Sequence, residues 1–239
     1  MTWSVVARCR ETGRLGVAVA TRFFAVGALC PAGDGGVAAV ASQALINPHY
    51  GEQALARVRD GVHPAAVVSA LVQADGGHAQ RQLHMIDSHG RIGQHTGVEC
   101  VDWAGHLAES DVSVAGNMLV GPQVVADTLT AFLQSRGKPL AERLLMAMEA
   151  GEAAGGDKRG RQSACLKVWH TERWAELDIR VDDHTAPLQE LRRLYAVSHQ
   201  HWAVFRSHLA TRANPHGTLD RGRILADIEA HQRSLGLAS

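Results

Sequence analysis

The hydrophobic pattern of the first third of the chain predicts β-strands separated by turns. Trp3–Arg8 is short, apolar and β-branched, and it runs into the turn signal Glu11-Thr12-Gly13. Leu15–Thr21 returns as a run of small and branched apolar residues, and Val37–Gln43 is a similar run that opens after two glycines. Short apolar runs without alternation are typical of strands that are buried on both faces. We therefore expect Val37–Gln43 to be a central, closely packed strand.

The apolar spacing becomes helical after this region. Tyr50–Asp60 and Pro64–Ala74 are predicted to be helices that are separated near Gly61. A second predicted pair is Gln123–Gln134 and Leu140–Glu152. The strands predicted between and after these pairs are Gln82–Asp87 and Arg91–Thr96, which form a hairpin, then Val112–Leu119, Ser163–Trp169 and Ala175–Val181.

The order of these elements predicts an α+β fold. Strands interleaved with two helix pairs favour two facing sheets with a helix pair on each outer face, a four-layer αββα sandwich. The character of the chain changes after Asp182-Asp183-His184, where helices are predicted over Pro187–Leu209 and Arg221–Leu235. We place a domain boundary near residue 183, which gives a main domain over residues 1–183 and a short helical C-terminal extension over residues 184–239.

Charge and hydropathy narrow the classes of partner. Lys plus Arg and Asp plus Glu both total 24, so a formally neutral chain has no general attraction to nucleic acid or to an anionic membrane. No apolar run approaches the roughly 20 residues of a membrane helix, and the N-terminus lacks the features of a signal peptide. We expect a cytoplasmic protein with neither nucleic-acid nor membrane partners.

The cysteines and histidines do not follow a metal-binding pattern. Cys9, Cys30, Cys100 and Cys165 are scattered without a Cys-x-x-Cys pair, so buried, reduced thiols are expected. The 14 histidines include no His-Glu-x-x-His or comparable spacing. We expect neither a metal nor a cofactor.

The N-terminus itself is the first candidate for chemistry. Because Thr2 is small, methionine aminopeptidase is expected to remove Met1 and to leave threonine as the first residue. A threonine at a free N-terminus can act as a nucleophile, with its own α-amine (ordinary pKa roughly 7.7–8.0) as the base. The alternative is an ordinary N-terminus, because many proteins begin Met-Thr.

Two further segments carry polar groups in unusual settings. Asn117 follows Gly116 at a predicted strand end, where an amide can point into a cleft as an oxyanion-hole donor; the alternative is an ordinary turn asparagine. Between Glu149 and Ala164, four glycines bracket charged and polar residues immediately before a strand, an arrangement that suits binding of a carboxylate or carbonyl but also occurs in solvated loops. The binding candidates in this loop are Asp157, Lys158, Arg159, Arg161 and Gln162.

Polar residues at other predicted strand ends complete the candidate set. Ser42, Gln43 and Asn47 lie at the end of a predicted core strand, and Arg22 follows the second strand. Arg22 is a candidate anion contact, or equally an ordinary salt-bridge partner.

Together these segments resemble the bacterial domain-of-unknown-function family 1028 (DUF1028), which has the N-terminal-nucleophile (Ntn) hydrolase-like fold. The resemblance covers the chain from residue 2 to about residue 182, with the motifs in the same order. The matching stretches are Thr2–Arg8, Gly16–Gly27, Ser42–Ala44 with Asn47-Pro48 and Tyr50-Gly51, Gly116–Leu119, and Gly155–Ala164.

The resemblance implies a fold and, through it, a reaction. Ntn hydrolases cleave amide bonds, so Thr2 would be the nucleophile, Asn117 an oxyanion donor and Asp157–Gln162 the substrate-binding element. The implied substrate is a small metabolite amide or a peptide, the implied assembly is a homodimer, and no cofactor is needed. The C-terminal extension resembles a small segment of some members described as peptidoglycan-binding, a role for which a neutral chain gives no support.

Three hypotheses of function follow. The first is a small-substrate amidohydrolase that uses Thr2; Ser4 is a weaker nucleophile candidate, because an internal serine lacks a free amine and the sequence has no evident Ser-His-Asp spacing. The second is a metabolite-binding protein on a catalytically silent Ntn scaffold, which a retained Met1 would favour. The third is an assembly or wall-associated interaction protein that acts through residues 184–239.

Overall fold

The structure is a computed structural model that describes residues 2–237, and this part of the chain contains ten strands. Most of the predicted strands are confirmed to within a few residues, and Leu15–Thr21 and Ser163–Trp169 have the predicted bounds. In chain order the strands are β1 (Thr2–Arg8), β2 (Leu15–Thr21), β3 (Pro31–Asp34), β4 (Ala38–Ala44), β5 (Arg81–Asp87), β6 (Ile92–Thr96), β7 (Gly105–Glu109), β8 (Val112–Asn117), β9 (Ser163–Trp169) and β10 (Leu177–Val181).

The helices of residues 2–237 also follow the predicted spacing, with one correction. The single helix predicted over Pro187–Leu209 is wrong, because the chain leaves the helical conformation at His199-Gln200 and resumes in a second, short helix. The α-helices are α1 (His49–Arg59), α2 (Pro64–Gln73), α3 (Gln123–Gln134), α4 (Leu140–Ala153), α5 (Pro187–Ser198), α6 (His201–Phe205) and α7 (Arg221–Ser234).

The strands form two antiparallel sheets. A large sheet has the order β10-β9-β2-β1-β8-β7, and a small sheet has the order β3-β4-β5-β6. The strand β4 is central and buried along most of its length, as predicted. The strands β3 and β7, which the sequence pattern does not predict, are edge strands.

The four layers of the predicted sandwich are present. Helices α1 and α2 pack on the small sheet, and helices α3 and α4 pack on the large sheet. The two sheets face each other, with contacts from β1 and β2 to β4 and from β8 to β5. The αββα prediction is therefore confirmed.

The layer between the sheets is apolar at one end and polar at the other. At the apolar end, Val6, Val17 and Ile86 belong to one buried cluster that draws on both sheets. Thr2 and Ser4 share the face of β1 that Val6 presents to this layer, because alternate residues of a strand point the same way. The buried polar residues at the other end are Thr2, Ser4, Thr21, Gln43, Gln82, His84, Ser113 and Asn117.

Small residues allow the close packing of these layers. A Cβ atom added to Gly16 on β2 would lie 2.6 Å from Leu144 Cδ1 of α4, so the helix approaches the strand backbone directly. The four cysteines are buried and free, as predicted, and burial raises the pKa of the Cys30 thiol to about 12.

The described residues divide into two compact units between Leu191 and Arg192. In the second unit α6 packs against α7, whose N-terminus is capped by Asp220 through a 3.0 Å hydrogen bond from the Arg223 backbone N–H. Over residues 2–237, no helix has the length and apolar character needed to cross a membrane.

Candidate functional site

Three ends of strands in the large sheet converge around Thr2. Strand β1 begins at Thr2, β2 ends at Thr21 and β8 ends at Asn117, which is the cross-strand partner of Thr2. The Thr2 hydroxyl donates a hydrogen bond to Thr21 Oγ1 over 3.2 Å, and Thr2 is only 5% exposed. We call the region defined by Thr2, Thr21 and Asn117 the Thr2 end of the sandwich. Met1, whose removal the nucleophile hypothesis requires, lies outside the described residues.

The Asn117 amide points toward Thr2 but is engaged by protein atoms. Its Nδ2 donates to Gln82 Oε1 at 3.0 Å and to the Thr2 backbone carbonyl at 3.4 Å. The second contact is long for a hydrogen bond and is the weaker of the two. An oxyanion held by Asn117 would therefore have to replace the Thr2 carbonyl as acceptor.

The glycine-rich loop is held to the end of β2 by Asp157. The Asp157 carboxylate is buried and accepts hydrogen bonds from the backbone N–H groups of Arg22 and Arg159, both at 2.8 Å. The Arg22 guanidinium in turn donates to the carbonyl of Arg159. Asp157 and Arg22, both candidates for substrate binding, are thus brought together, and their contacts organise the loop.

The glycines of this loop have the close approach that the sequence predicts for them. Gly156 has a φ of 55°, and a Cβ atom there would lie 3.1 Å from Trp3 Cη2. The loop therefore rests on the indole ring of the residue after Thr2. A glycine is required because the left-handed conformation and the ring contact both disfavour a side chain.

Two of the remaining loop candidates, Arg161 and Gln162, line a cavity beside the Thr2 end, whereas Lys158 lies outside its lining. The backbone N–H of Gln162 donates to the Thr21 carbonyl at 3.0 Å, and its side chain donates to Asp183. Arg161 is half exposed and pairs with Glu152 at 3.1 Å. Lys158 donates through Nζ to a backbone carbonyl at 2.8 Å. The cavity measures about 440 Å³ and is lined by Arg22, Arg161, Gln162, Asp183, His184 and Thr185.

Ser42 and Asn47 belong to a different group, one built on Asp75. Ser42 Oγ donates to the Asn47 carbonyl at 3.1 Å, and the Asn47 amide donates to Asp75 at 3.3 Å. Tyr50 and Arg81 also donate to Asp75, at 2.7 and 2.5 Å. The hydrogen bond from Tyr50 is the main reason why the pKa of the Asp75 carboxyl lies well below its ordinary value. The sequence analysis did not identify Asp75, because it stands apart from the other candidates in the sequence and belongs to no motif.

Gln43 lies in the polar part of the inter-sheet layer, where sequence reasoning missed its partners. His84 is fully buried, with Nε2 2.7 Å from Ser4 Oγ and Nδ1 2.8 Å from Ser113 Oγ. Burial lowers the pKa of His84 to about 3, so the ring is neutral. The available signal was the alternation of Gln82 and His84 with apolar residues on a predicted strand.

Two strained residues follow the polar side chains. Ala44, directly after Gln43, has a φ of 66°, and Met118, directly after Asn117, has a φ of 54°. Left-handed backbone at a residue other than glycine costs about 1–2 kcal/mol and tends to cluster at functional sites. Within residues 2–237, no group of His, Cys, Asp or Glu side chains has an arrangement suited to a metal ion.

Comparison with known proteins gives a family match and a similar solved structure. The model of DUF1028, a family of unknown function, matches residues 2–191. The crystal structure of protein SPO2555 from Silicibacter pomeroyi, described with the same family, has 32% sequence identity and a TM-score of 0.86, over 92% of this chain and 96% of that chain.

Two more distant structures have low TM-scores. Anbu (ancestral beta-subunit) from Yersinia bercovieri has 10% identity and a TM-score of 0.41, over 82% of this chain and 94% of that one. An Anbu Gly-1 mutant from Hyphomicrobium sp. strain MC1 has 12% identity and a TM-score of 0.44, over 83% and 94%. A comparison with curated proteins gives no match.

Proposed function

The chain belongs to the DUF1028 family, and on that premise we propose that it is a hydrolase that cleaves an amide bond of a small metabolite or peptide through Thr2. The observation that carries the proposal is the position of the Thr2 hydroxyl. It lies at the start of β1, held by Thr21, where the ends of β2 and β8 meet the glycine-rich loop. Removal of Met1 would make the α-amine of Thr2 available beside its own hydroxyl.

The chemistry follows from this pair of groups. The α-amine accepts the hydroxyl proton as Thr2 Oγ1 attacks the amide carbon, forming a tetrahedral oxyanion. Collapse of that intermediate breaks the C–N bond, and the proton passes from the ammonium to the leaving amine. Water then attacks the resulting ester with the same amine as base, the bond between the acyl carbon and Oγ1 breaks, and the ammonium returns the proton to Oγ1 as the acid is released. Asn117 Nδ2, exchanging its long contact to the Thr2 carbonyl, is the proposed donor to the oxyanion.

The cavity beside the Thr2 end is the proposed substrate site. Its volume of about 440 Å³ lies within the ordinary range for small-molecule sites. Arg161 is paired with Glu152, so the guanidinium of Arg22 is the proposed contact for a carboxylate on the substrate amide. Gln162 links the cavity to the nucleophile, because its backbone N–H bonds the Thr21 carbonyl.

Intact mass and covalent labelling test the proposal. The protein, made without an N-terminal tag, is expected to lack one methionine and to form a single acyl adduct with a β-lactone probe, mapped to Thr2. The Thr2→Ala variant should lose the adduct and all amide turnover. Retention of Met1, or full activity of Thr2→Ala, would overturn the proposal.

A second function, metabolite binding without cleavage, is favoured by the same site in another respect. Thr2 is 5% exposed, and both hydrogen bonds of Asn117 Nδ2 are made to protein atoms. In this arrangement the polar groups of the two residues stabilise the fold instead of facing a substrate. Retained Met1 together with stabilisation by small carboxylates in a thermal-shift screen would select this function.

We also propose that the protein is a cytoplasmic homodimer. Two adjacent apolar side chains, Phe23 and Phe24, are 50% and 61% exposed in the loop after β2. Covering them in an interface would remove apolar surface from water. Light scattering should give twice the chain mass, and Phe24→Ser should lower it; a monomeric wild-type protein would contradict the proposal.

A further inference from the structure

Six polar side chains form a continuous hydrogen-bonded chain through the inter-sheet layer. It begins at the edge of the small sheet, passes through the buried imidazole, and ends beside Asn117. The successive contacts are Gln94 to Ser113 (2.7 Å), Ser113 to His84 (2.8 Å), His84 to Ser4 (2.7 Å), Ser4 to Gln43 (2.7 Å) and Gln43 to Gln82 (2.7 Å). Each contact is short enough to be a good hydrogen bond.

The inner end of this chain has a fixed direction. The amide nitrogen of Gln82 lies 2.7 Å from the carbonyl oxygen of Gly116 and 3.1 Å from that of Gly105. A carbonyl oxygen only accepts, so the NH₂ group must face it and Gln82 Oε1 must face the other way. The group of Gln43 that meets Gln82 Oε1 must then be its NH₂, which leaves Gln43 Oε1 to face Ser4.

The direction of the inner end determines the proton on His84. Because Gln43 Oε1 only accepts, Ser4 must commit its single proton to it. Ser4 Oγ can then only accept from His84, so Nε2 carries the ring proton. A neutral imidazole has one proton, and Nδ1 is therefore the acceptor.

The outer end is compatible with the same assignment. The Gln94 amide nitrogen donates to the Leu107 carbonyl at 3.0 Å and to Ser113 Oγ at 2.7 Å. Ser113, having accepted from Gln94, has its own proton free to donate to His84 Nδ1. The inner end requires the Nε2–H form of His84 and the outer end accommodates it, and in this arrangement every donor along the hydrogen-bonded chain points toward the Thr2 end.

We infer that His84 is a positioning residue for the proposed Thr2 nucleophile, acting in its Nε2–H form through Ser4, Gln43 and Gln82 to hold one N–H of the Asn117 amide and so direct the other toward Thr2. The catalytic meaning of this inference rests on the proposed function. Gln82 Oε1 is the junction, since it accepts from both Gln43 and Asn117.

The same hydrogen-bond directions exclude Ser4 and His84 as a catalytic serine–histidine pair. Ser4 and His84 have the separation of a nucleophile and its base, but the proton on Nε2 points at the serine oxygen. His84 therefore has no vacant nitrogen with which to accept the Ser4 proton. Both side chains are also fully buried, which removes Ser4 from contact with substrate.

The protonation state can be read directly by NMR. A two-bond ¹H–¹⁵N correlation spectrum of the full chain is expected to show a protonated Nε2 and an unprotonated Nδ1 for His84, unchanged between pH 8 and pH 5. A ring with its proton on Nδ1, or a mixture of the two neutral forms, would overturn the inference.

Ser113→Ala tests whether the hydrogen-bonded chain of side chains positions Asn117. It removes the donor to His84 Nδ1 without touching Ser4, Asn117 or Thr2. We expect the Asn117 side-chain amide resonances to shift and acylation of Thr2 to slow by roughly tenfold, about 1.4 kcal/mol in activation free energy. Ser135→Ala is the matched control, because it deletes another buried serine hydroxyl, bonded to the Phe132 carbonyl, and should leave both readouts unchanged.

The two proposals fail in different ways. If no probe acylates the wild-type protein, amide hydrolysis by Thr2 is overturned. The position of the His84 proton and the Asn117 resonances still test whether the hydrogen-bonded chain positions Asn117. If Thr2 is acylated normally and the Asn117 resonances of Ser113→Ala match those of the wild type, the positioning role is overturned and the hydrolase proposal stands.

Discussion

The hydroxyls of Thr2 and Thr21 are joined by a hydrogen bond of 3.2 Å in which Thr2 donates and Thr21 accepts. These residues lie at the beginning of β1 and the end of β2, which are antiparallel neighbours in the large sheet. The bond fixes the rotamer of Thr2, the candidate nucleophile, before any ligand arrives. A hydroxyl that is already oriented loses less entropy on the way to attack.

Replacing Thr21 by valine tests this orientation. Thr21→Val keeps the shape of the side chain and removes the oxygen that accepts from Thr2. We expect a loss of about 1–3 kcal/mol in the free energy of unfolding and a roughly tenfold slower acylation of Thr2. Denaturant titration and probe kinetics measure the two effects. Thr128→Val, at a buried threonine whose hydroxyl bonds the Val124 carbonyl, should lower stability without slowing acylation.

Neutralising Asp157 should loosen the glycine-rich loop. Asp157→Asn loses one charged acceptor, so one of the backbone N–H groups of Arg22 and Arg159 loses its partner. Hydrogen bonds to charged groups contribute about 1.5–3 kcal/mol, and we expect a loss of stability of that size. Amide hydrogen exchange at Arg22 and Arg159 should accelerate. An exchange pattern like that of the wild type would show that the carboxylate does not hold the loop.

Asp182→Asn is the control for this variant. Asp182 pairs with Arg180 at the surface, where an ion pair is worth about 0–1 kcal/mol. It should leave the exchange of the loop amides unchanged.

A methyl group at Gly156 should be more costly than one at Gly137. Both glycines have a positive φ, 55° and 86°, so alanine at either site costs about 1–2 kcal/mol in backbone strain. Only Gly156 lies against a neighbour, the ring of Trp3, and the crowding there should add about 1–3 kcal/mol. Parallel denaturation of Gly156→Ala and Gly137→Ala measures the difference. Equal losses would mean that the indole gives way freely.

Acid should destabilise the main domain partly through His84. Its pKa falls from an ordinary value of 6.5 to about 3 in the folded protein, because burial disfavours the charged ring. Between these values the unfolded chain binds the proton and the folded chain does not, so stability falls as the pH drops from 6.5 toward 3. The slope contributed by this residue approaches about 1.4 kcal/mol per pH unit.

The contribution of His84 to the pH dependence of stability is isolated by comparison with a variant that has no titratable group at this position. His84→Gln removes the ring, so its unfolding free energy should vary less steeply over pH 6 to 4.5 than that of the wild type. The pKa of Asp75 is lowered in the folded protein, so this residue reduces the free energy of unfolding only as the pH falls below 3.8, the ordinary pKa of its carboxyl. Identical slopes above pH 4.5 would contradict a neutral, buried His84.

How far the fold could be predicted depended on the strength of each local pattern. Leu15–Thr21 is a central strand, and its continuous apolar run has the bounds seen in the structure. Pro31–Asp34 and Gly105–Glu109 were missed because they are edge strands that contain Pro or Gly and have few apolar residues. The break at His199-Gln200 was missed because neither residue interrupts the helical spacing around it.

The candidate site was harder to predict because its contacts depend on register. Thr2 and Asn117 could be singled out separately, but their pairing across β1 and β8 joins positions 115 residues apart. The contact between Ser4 and His84 spans 80 residues and two different sheets. Local sequence shows that a polar residue occupies a core position; it does not show which other polar residue it meets.

The division of the inter-sheet layer into an apolar and a polar end also constrains how this protein can change over evolution. At the apolar end, around Val17 and Ile86, one side chain can be exchanged for another of similar volume without regard to direction. From Gln94 to Gln82, each donor is matched to one acceptor, so a single replacement leaves a buried group without its partner. Relatives of this chain should therefore substitute these positions together, and the six residues should vary as one unit.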